Sequence, residues 1–287
     1  MQLIINLDEI SDDIDKSINF LKDYDINKCE IRLLNGNNIA MMNKDKLAVF
    51  KKKLDRHHIT PIAIASPIFK WYKKESDEKI ASVDSFGINT SLSSNEQDEI
   101  IDTVLENAKK LGIKKIRIFS YLKNEQEVGN IESYFSDEKV RELINQPYEF
   151  FIENELVCNF YSKEHLVNLS HFIDRKNMKN VKIWLDIANI YRNDEYIDKN
   201  FIKKIKHNIG YVHCKDYKIL DNSKEVEFVP LGDGIIDYDY ILNLLENELN
   251  SETIVSIETH APLEQVKYTY SGKSVTYFRR ILEDKND

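Results

Sequence analysis

Four short apolar runs in the second half of the chain each end on a side chain able to bind a cation. They read Phe150-Phe151-Ile152-Glu153, Val181-Lys182-Ile183-Trp184-Leu185-Asp186, Ile209-Gly210-Tyr211-Val212-His213 and Thr253-Ile254-Val255-Ser256-Ile257-Glu258. A carboxylate set directly after a buried apolar run costs free energy unless something positive receives it. The intervals between the endings, 33, 27 and 45 residues, are each close to one strand-helix unit. Consecutive parallel strands of a barrel bring such endings together, because active sites form where their C-terminal ends converge. One imidazole and three carboxylates make a hard, oxygen-rich set, suited to one Mn²⁺ or Mg²⁺ ion, with Zn²⁺ or Co²⁺ also admitted. Three carboxylates around a divalent ion leave the cluster near −1, low enough for a neutral polyol to place two oxygens at open coordination positions.

The elements that must position these residues alternate along the whole chain. Strand-like runs fall near 2–7, 29–34, 61–65, 115–119, 149–153, 181–186, 209–213 and 253–258, eight in all. Amphipathic, charged stretches between them predict helices at 11–24, 43–56, 95–111, 136–145, 163–176, 197–207 and 238–249, with a closing helix at 273–284. Such alternation is the pattern of parallel βαβ units. The strands are apolar on both faces, as expected where helices cover one side and a filled interior the other. An open doubly wound sheet would carry a Gly-rich turn after its first strand; here Asp8-Glu9-Ile10-Ser11-Asp12 follows, without glycine. The expectation is one (β/α)8 TIM barrel over residues 1–287, with the metal site at the C-terminal face of its strands. Two irregular stretches, 66–94 and 214–237, fall on that face, and Gly232-Asp233-Gly234 in the second predicts a tight turn near the pocket.

Bulk composition narrows the partners. The 287 residues are 42% hydrophobic and 31% charged, enough for a large core, and the net charge of −9 disfavours a nucleic-acid backbone, which demands a basic face. No apolar run approaches the roughly 18 residues of a membrane span. The opening Met1-Gln2-Leu3-Ile4-Ile5-Asn6-Leu7-Asp8 lacks the features of a signal peptide and reads as the first strand. Cys29, Cys158 and Cys214 are odd in number and without metal-knuckle spacing, so a reducing cytoplasm fits better than a disulfide framework. A homo-oligomer is admitted but not required.

At this point the chain resembles a known family. Phe151-Ile152-Glu153-Asn154-Glu155, Trp184-Leu185-Asp186-Ile187-Ala188-Asn189, Val212-His213-Cys214-Lys215-Asp216 and Ile257-Glu258-Thr259-His260 look like the xylose isomerase-like TIM-barrel superfamily. More narrowly they resemble its sugar phosphate isomerase/epimerase group, as do the turn Pro230-Leu231-Gly232-Asp233-Gly234 and the helix beginning Ser274-Val275. Ser66-Pro67 with Lys70-Trp71, and Arg117-Ile118-Phe119-Ser120, match less specifically. The resemblance implies a single divalent metal on Glu153, Asp186, His213 and Glu258. It also implies that Glu153 and Glu258, on opposite sides of a sugar, exchange a proton at the carbon beside the carbonyl. Metal coordination makes that C–H more acidic and stabilises a cis-enediolate, while a carboxylate on each face acts as base and acid. Many members carry a His three residues after the strand-six Asp. Here Asn189 stands there; it can hydrogen-bond a substrate hydroxyl but cannot take a proton.

Around this set, Glu155 shares the face of Glu153 by period-two alternation and is the alternative ligand or a supporting acid. Lys215, steadied by Asp216, and His260, on the face of Glu258, are candidates for substrate contact. Lys70 is a partner for a phosphate or carboxylate, and Trp71 is either the apolar floor of a sugar site or the side chain that packs its loop. Arg117 faces inward if its strand starts near Lys115. Cys214 is expected to point away from His213 as a small buried hydrophobe, and His57-His58 to cap or flank a helix. The activity expected is that of a metal-dependent isomerase or epimerase of a small sugar or polyol. The alternative is a dehydratase or lyase on a keto-inositol or dehydroshikimate-type substrate. An endonuclease IV-like nuclease needs more imidazole than seven His supply, and a non-catalytic sugar-binding barrel would not need both glutamates.

Overall fold

In a computed structural model of the protein, residues 1–73, 82–84, 86–220 and 225–283 are described. Parts of the expected loops, 74–81, 85 and 221–224, and the end of the expected closing helix lie outside them. Eight strands form a closed barrel: β1 (Gln2–Asn6), β2 (Lys28–Ile31), β3 (Thr60–Ile64), β4 (Lys115–Ile118), β5 (Glu149–Glu153), β6 (Val181–Asp186), β7 (Ile209–Cys214) and β8 (Ile254–Ile257). Neighbours in sequence are neighbours in space, every pairing is parallel, and β8 closes on β1 through Gln2↔Ile254 to Ile5↔Ile257. The expected (β/α)8 barrel is therefore the fold.

Among the described residues ten α-helices surround the strands: α1 (Ile14–Asp23), α2 (Lys44–Arg56), α3 (Ser94–Leu111), α4 (Ile131–Ser136), α5 (Glu138–Ile144), α6 (Lys163–Lys176), α7 (Ile187–Tyr191), α8 (Lys199–Ile205), α9 (Tyr238–Glu248) and α10 (Glu264–Glu283). Their ends follow local chemistry. Ser93 and Glu96 close a capping box at the start of α3, and Gly112 ends it in a left-handed conformation. Two expectations need correction. The closing helix begins at Glu264, nine residues earlier than its spacing suggests. Gly272 lies inside that helix, where a side chain would run into the hydroxyl of Tyr24, the residue that ends the adjoining α1. The short α4 and α7 were also not anticipated, and the start of α7 depends on a site residue described below.

The interior is layered by period-two alternation. Ile4, Ala63, Phe151, Trp184, Tyr211 and Ile254 fill the barrel as a separate apolar cluster, while the alternate residues Ile152, Leu185 and Val212 join the outer core beneath the helices. Trp184 stacks on Tyr211 with ring centres 3.4 Å apart, and Phe151 meets both edge-on. Each of these three aromatics stands two residues before a site residue: Glu153, Asp186 and His213. The apolar layer is thus the floor of the site.

One irregularity aligns the layers. Between β6 and β7 the register shifts, from Ile183↔Ile209 to Trp184↔Tyr211, so Gly210 has no partner of its own. The shift sets Asp186 opposite His213. Only glycine suits the position, since a Cβ on residue 210 would lie 2.6 Å from the Phe151 ring and 2.8 Å from Lys182.

Candidate metal centre

The last residues of β5 and β6, the penultimate residue of β7 and the residue after β8 point to one place. Glu153, Asp186, His213 and Glu258 are all buried, and one ligand atom from each lies within 4.8 Å of every other. His213 Nδ1 is 2.9 Å from Glu153 Oε1, 3.3 Å from Glu258 Oε2 and 4.0 Å from Asp186 Oδ2. Asp186 is used twice. Its Oδ1 accepts the Asn189 backbone N–H at 2.8 Å and so caps α7, while Oδ2 receives no aligned hydrogen bond. Lys215 Nζ lies 2.7 Å from that oxygen, as an ion pair, and also donates to Glu258 Oε2 at 3.1 Å. A buried carboxylate oxygen left without a hydrogen bond, facing two more carboxylates and an imidazole, fits a divalent cation.

Electrostatics point the same way. Burial alone disfavours a charged His213, yet Glu258 and Glu30 outweigh it and raise the imidazole well above its ordinary pKa. Burial raises Asp186, and the Glu153 and Glu258 charges add to it against Lys215. Burial would raise Glu258 too, but His213, Lys215 and His260 hold it well below the usual carboxylate range. The surplus of acid pulls positive charge into the cluster, whatever form that charge takes.

Several expected residues sit on this set and others stand back from it. Lys215 is inside, as above. His260 Nε2 is 3.3 Å from Glu258 Oε2, with its ring beside Phe86 and Phe228. Its left-handed backbone (φ 48°) is held by Glu9, whose Oε2 accepts from the His260 N–H and from Thr259 Oγ1. Glu155, the alternative ligand or supporting acid, lies past the end of β5 and pairs with Lys70 at 2.8 Å, so the carboxylate that Lys70 meets is the protein's own. Asn189 donates its side-chain amide to the Asn154 carbonyl, and Asn154 in turn makes both backbone hydrogen bonds of Asp186. Both asparagines continue the β5–β6 pairing beyond the strands and fix Asp186. Trp71 is wholly buried in the outer core, edge-on to Phe69, which is the packing role of the two considered. Cys214 is buried in the outer core away from His213.

The turn at Gly232 and Gly234 is organised by Asp216. That carboxylate accepts the N–H groups of Tyr217, Gly232, Gly234 and Ile236. Gly232 needs a positive φ of 84°, and a Cβ on Gly234 would strike the Asp216 carboxylate itself. Asp216 is thereby committed to the loop.

The first two strands supply residues that the sequence reading passed over. Arg32 follows β2 and donates to Glu258 Oε1 at 2.5 Å, to Asp8 Oδ2 and to Glu9 Oε1. Arg117, which the sequence set inward if its strand starts near Lys115, does lie inward on β4, which begins at Lys115; it pairs with Glu153 Oε2 at 3.0 Å and donates to the carbonyls of Ala65 and Ser66. Each glutamate therefore gives one oxygen to the cluster and one to an arginine. Glu30, buried on β2, is 3.0 Å from His213 Nε2. The signal was present in Lys28-Cys29-Glu30-Ile31-Arg32: charged residues alternate with apolar ones in a strand that must face a barrel interior. Beside Arg32 opens a cavity of about 420 Å³, lined by Asp8, Glu9, Arg32, Phe86, His260 and Lys267 among others.

A family model described as xylose isomerase-like TIM barrel matches residues 18–272. The chain belongs to this family. Solved structures similar to the xylose isomerase-like barrel described here include the IolI protein with a bound zinc atom, at 17% identity and TM-score 0.71, with 99% of each chain covered. The probable 3-DHS dehydratase AsbF of Bacillus anthracis is 14% identical, with 95% of this chain and 98% of that one covered and a TM-score of 0.66. The 3-keto-D-glucoside 4-epimerase YcjR of E. coli is 14% identical, with 98% and 99% covered and a TM-score of 0.65. At these identities the likeness is one of fold. No curated protein matches the sequence. Among the described residues no helix is long and apolar enough to cross a membrane.

Proposed function

We propose that this xylose isomerase-like barrel is a divalent-metal-dependent isomerase or epimerase, acting in the cytoplasm on a small sugar or polyol by proton transfer through a cis-enediolate. The observation that carries the reading is the meeting of Glu153, Asp186, His213 and Glu258 within 4.8 Å at the ends of four consecutive strands. These four residues hold the ion, Mn²⁺ or Mg²⁺ by their oxygen-rich chemistry, with Zn²⁺ as the variant that the IolI structure carries. Bound there, the ion polarises a carbonyl and the hydroxyl next to it, which acidifies the C–H between them.

The protein's own residues do the rest. Glu153 and Glu258 face the cluster from β5 and β8, two carboxylates positioned to take and return a proton on either face of the sugar. Arg117 and Arg32 hold their outer oxygens and fix their orientation. Lys215 and His260 contact the substrate hydroxyls next to Glu258, and Lys70, paired with Glu155, lies at the rim. The three free, buried cysteines agree with a reducing compartment.

A dehydratase or lyase is the second reading, and a specific feature favours it. The buried Lys215 ammonium, 2.7 Å from Asp186 Oδ2 and 3.1 Å from Glu258 Oε2, is a cation beside the cluster placed to hydrogen-bond a departing hydroxyl, although against the effect of burial those same carboxylates raise its pKa and make it a weak proton donor. The two readings separate in one experiment. Metal-loaded protein is incubated in D₂O with a panel of ketoses and keto-inositols and followed by NMR. Deuterium at the carbon beside the carbonyl, lost in Glu258→Gln and Glu153→Gln, with no dehydrated product, is the expected result. Loss of water from the substrate selects the lyase. Absence of both exchange and product across the panel, with metal bound, sinks the catalytic reading.

A further inference from the structure

We infer that Glu30 is a positioning residue of the metal centre: it holds His213 in the one tautomer that presents Nδ1 to the ion. The inference rests on the metal reading above and assigns a role to a residue outside the ligand set. Glu30 is fully buried and pairs in register with Ala63, a member of the inner apolar cluster. A carboxylate at that depth is costly unless each oxygen is satisfied. Three donors converge on it. Asn6 Nδ2 donates to Oε1 at 3.0 Å, the Tyr211 hydroxyl to Oε2 at 2.5 Å, and His213 Nε2 lies 3.0 Å from Oε2 and 3.2 Å from Oε1.

An ionised carboxylate only accepts, and both ring nitrogens of His213 face one: Nε2 faces Glu30, and Nδ1 faces Glu153 at 2.9 Å. Glu30 offers no room for an ion between itself and Nε2, so an ion that enters the cluster takes the place of the Nδ1 proton and leaves the ring proton on Nε2, toward Glu30. The opposite nitrogen, Nδ1, is the one within 2.9 to 4.0 Å of Glu153, Glu258 and Asp186. Imidazole ligands characteristically donate their other N–H to a carboxylate, which sets ring orientation and strengthens the ligand. Backbone registration puts Glu30 in place: it pairs with Asn6 on β1, and the β2–β3 register slips beside it, from Cys29↔Pro61 to Glu30↔Ala63. Tyr211 belongs to the same strand as His213, two residues earlier, so one strand supplies both the ligand and a second donor to its support. Structural need alone does not account for the arrangement, since an apolar residue would extend the floor at no desolvation cost.

The test uses zinc and the full-length chain. Chelator-competition titration gives the Zn²⁺ dissociation constant of wild type, Glu30→Gln and Tyr211→Phe. Nitrogen-15 NMR of the zinc-loaded wild type reads which ring nitrogen of His213 carries the proton. The expected result is an Nε2–H with zinc on Nδ1, an affinity about 10- to 100-fold weaker in Glu30→Gln, and an affinity within about twofold of wild type in Tyr211→Phe, which keeps the Glu30–His213 contact. Zinc on Nε2 overturns the inference even if Glu30→Gln fails to fold. So does an unchanged affinity in Glu30→Gln, or equal losses in both variants, which would mark a packing role. A wild type that binds zinc while Glu30→Gln binds it equally well defeats this inference alone; a wild type that binds none defeats the metal reading and this inference with it.

Discussion

At the residue scale, the site is a matter of which carboxylate oxygens are already spoken for. Arg32 and Arg117 each take one oxygen of a proposed proton carrier, and Asn189 takes one oxygen of Asp186. The inward atoms are Glu153 Oε1, Asp186 Oδ2, His213 Nδ1 and Glu258 Oε2, and Lys215 is the cation that pairs with the Asp186 and Glu258 oxygens among them. The rim pair Lys70–Glu155 gives a pH prediction. Burial raises Glu155, but the Lys70 and Lys215 charges and the Lys70 hydrogen bond overturn that and bring it from 4.5 to about 2. A carboxyl depressed on folding contributes stability that is complete above its unfolded pKa and is lost as pH falls toward its folded pKa. Between about pH 5 and pH 2 the wild type should therefore lose up to about 3 kcal/mol through this group. Glu155→Gln should show a shallower acid limb in urea unfolding across that window. An acid limb of equal slope in the two proteins would mean that the pair contributes nothing.

At the element scale, the strands were legible because each ends on a hydrophobic-to-polar break, and their alternation with amphipathic stretches is strong. The ligand set followed from those same breaks. Helices were less legible where tertiary contacts define them. α7 depends on the Asp186 cap, and α10 runs through a glycine that exists to let α1 approach. Arg32 and Glu30 went unread for a different reason. Their strand is short, and nothing local to it says that its charges have partners on β1, β7 and the end of β8. Gly210 belongs at this scale as well. Gly210→Ala should push against Phe151 and Lys182 and disturb the register that sets Asp186 opposite His213. A loss of about 1–3 kcal/mol is expected from overpacking, read as a lower midpoint in chemical denaturation, together with weaker metal binding. An alanine variant as stable as wild type would show that the strand shift tolerates a side chain.

At the scale of the whole molecule, the barrel joins ligands from residues more than 100 positions apart in sequence. Metal binding should therefore act on global stability, because the unfolded chain cannot assemble the set. At free Mn²⁺ about 100 times its dissociation constant, the native state gains about 2.7 kcal/mol, a rise of roughly 5 °C in Tm for a chain of this size. The substrate is not written at this scale. It depends on loops such as 66–94 and 214–237, whose contacts do not follow from strand and helix periodicity, and a barrel of this kind hosts many reactions.

The most direct test of the account is a calorimetric titration of metal-stripped protein with Mn²⁺, wild type against Asp186→Asn. Asparagine keeps an oxygen to cap α7 while replacing Oδ2 with an amide, so the helix survives and the ligand does not. One ion per chain in the wild type, with affinity reduced at least about 100-fold in the variant, is the predicted result. No binding in the wild type, or equal binding in both proteins, contradicts the metal centre.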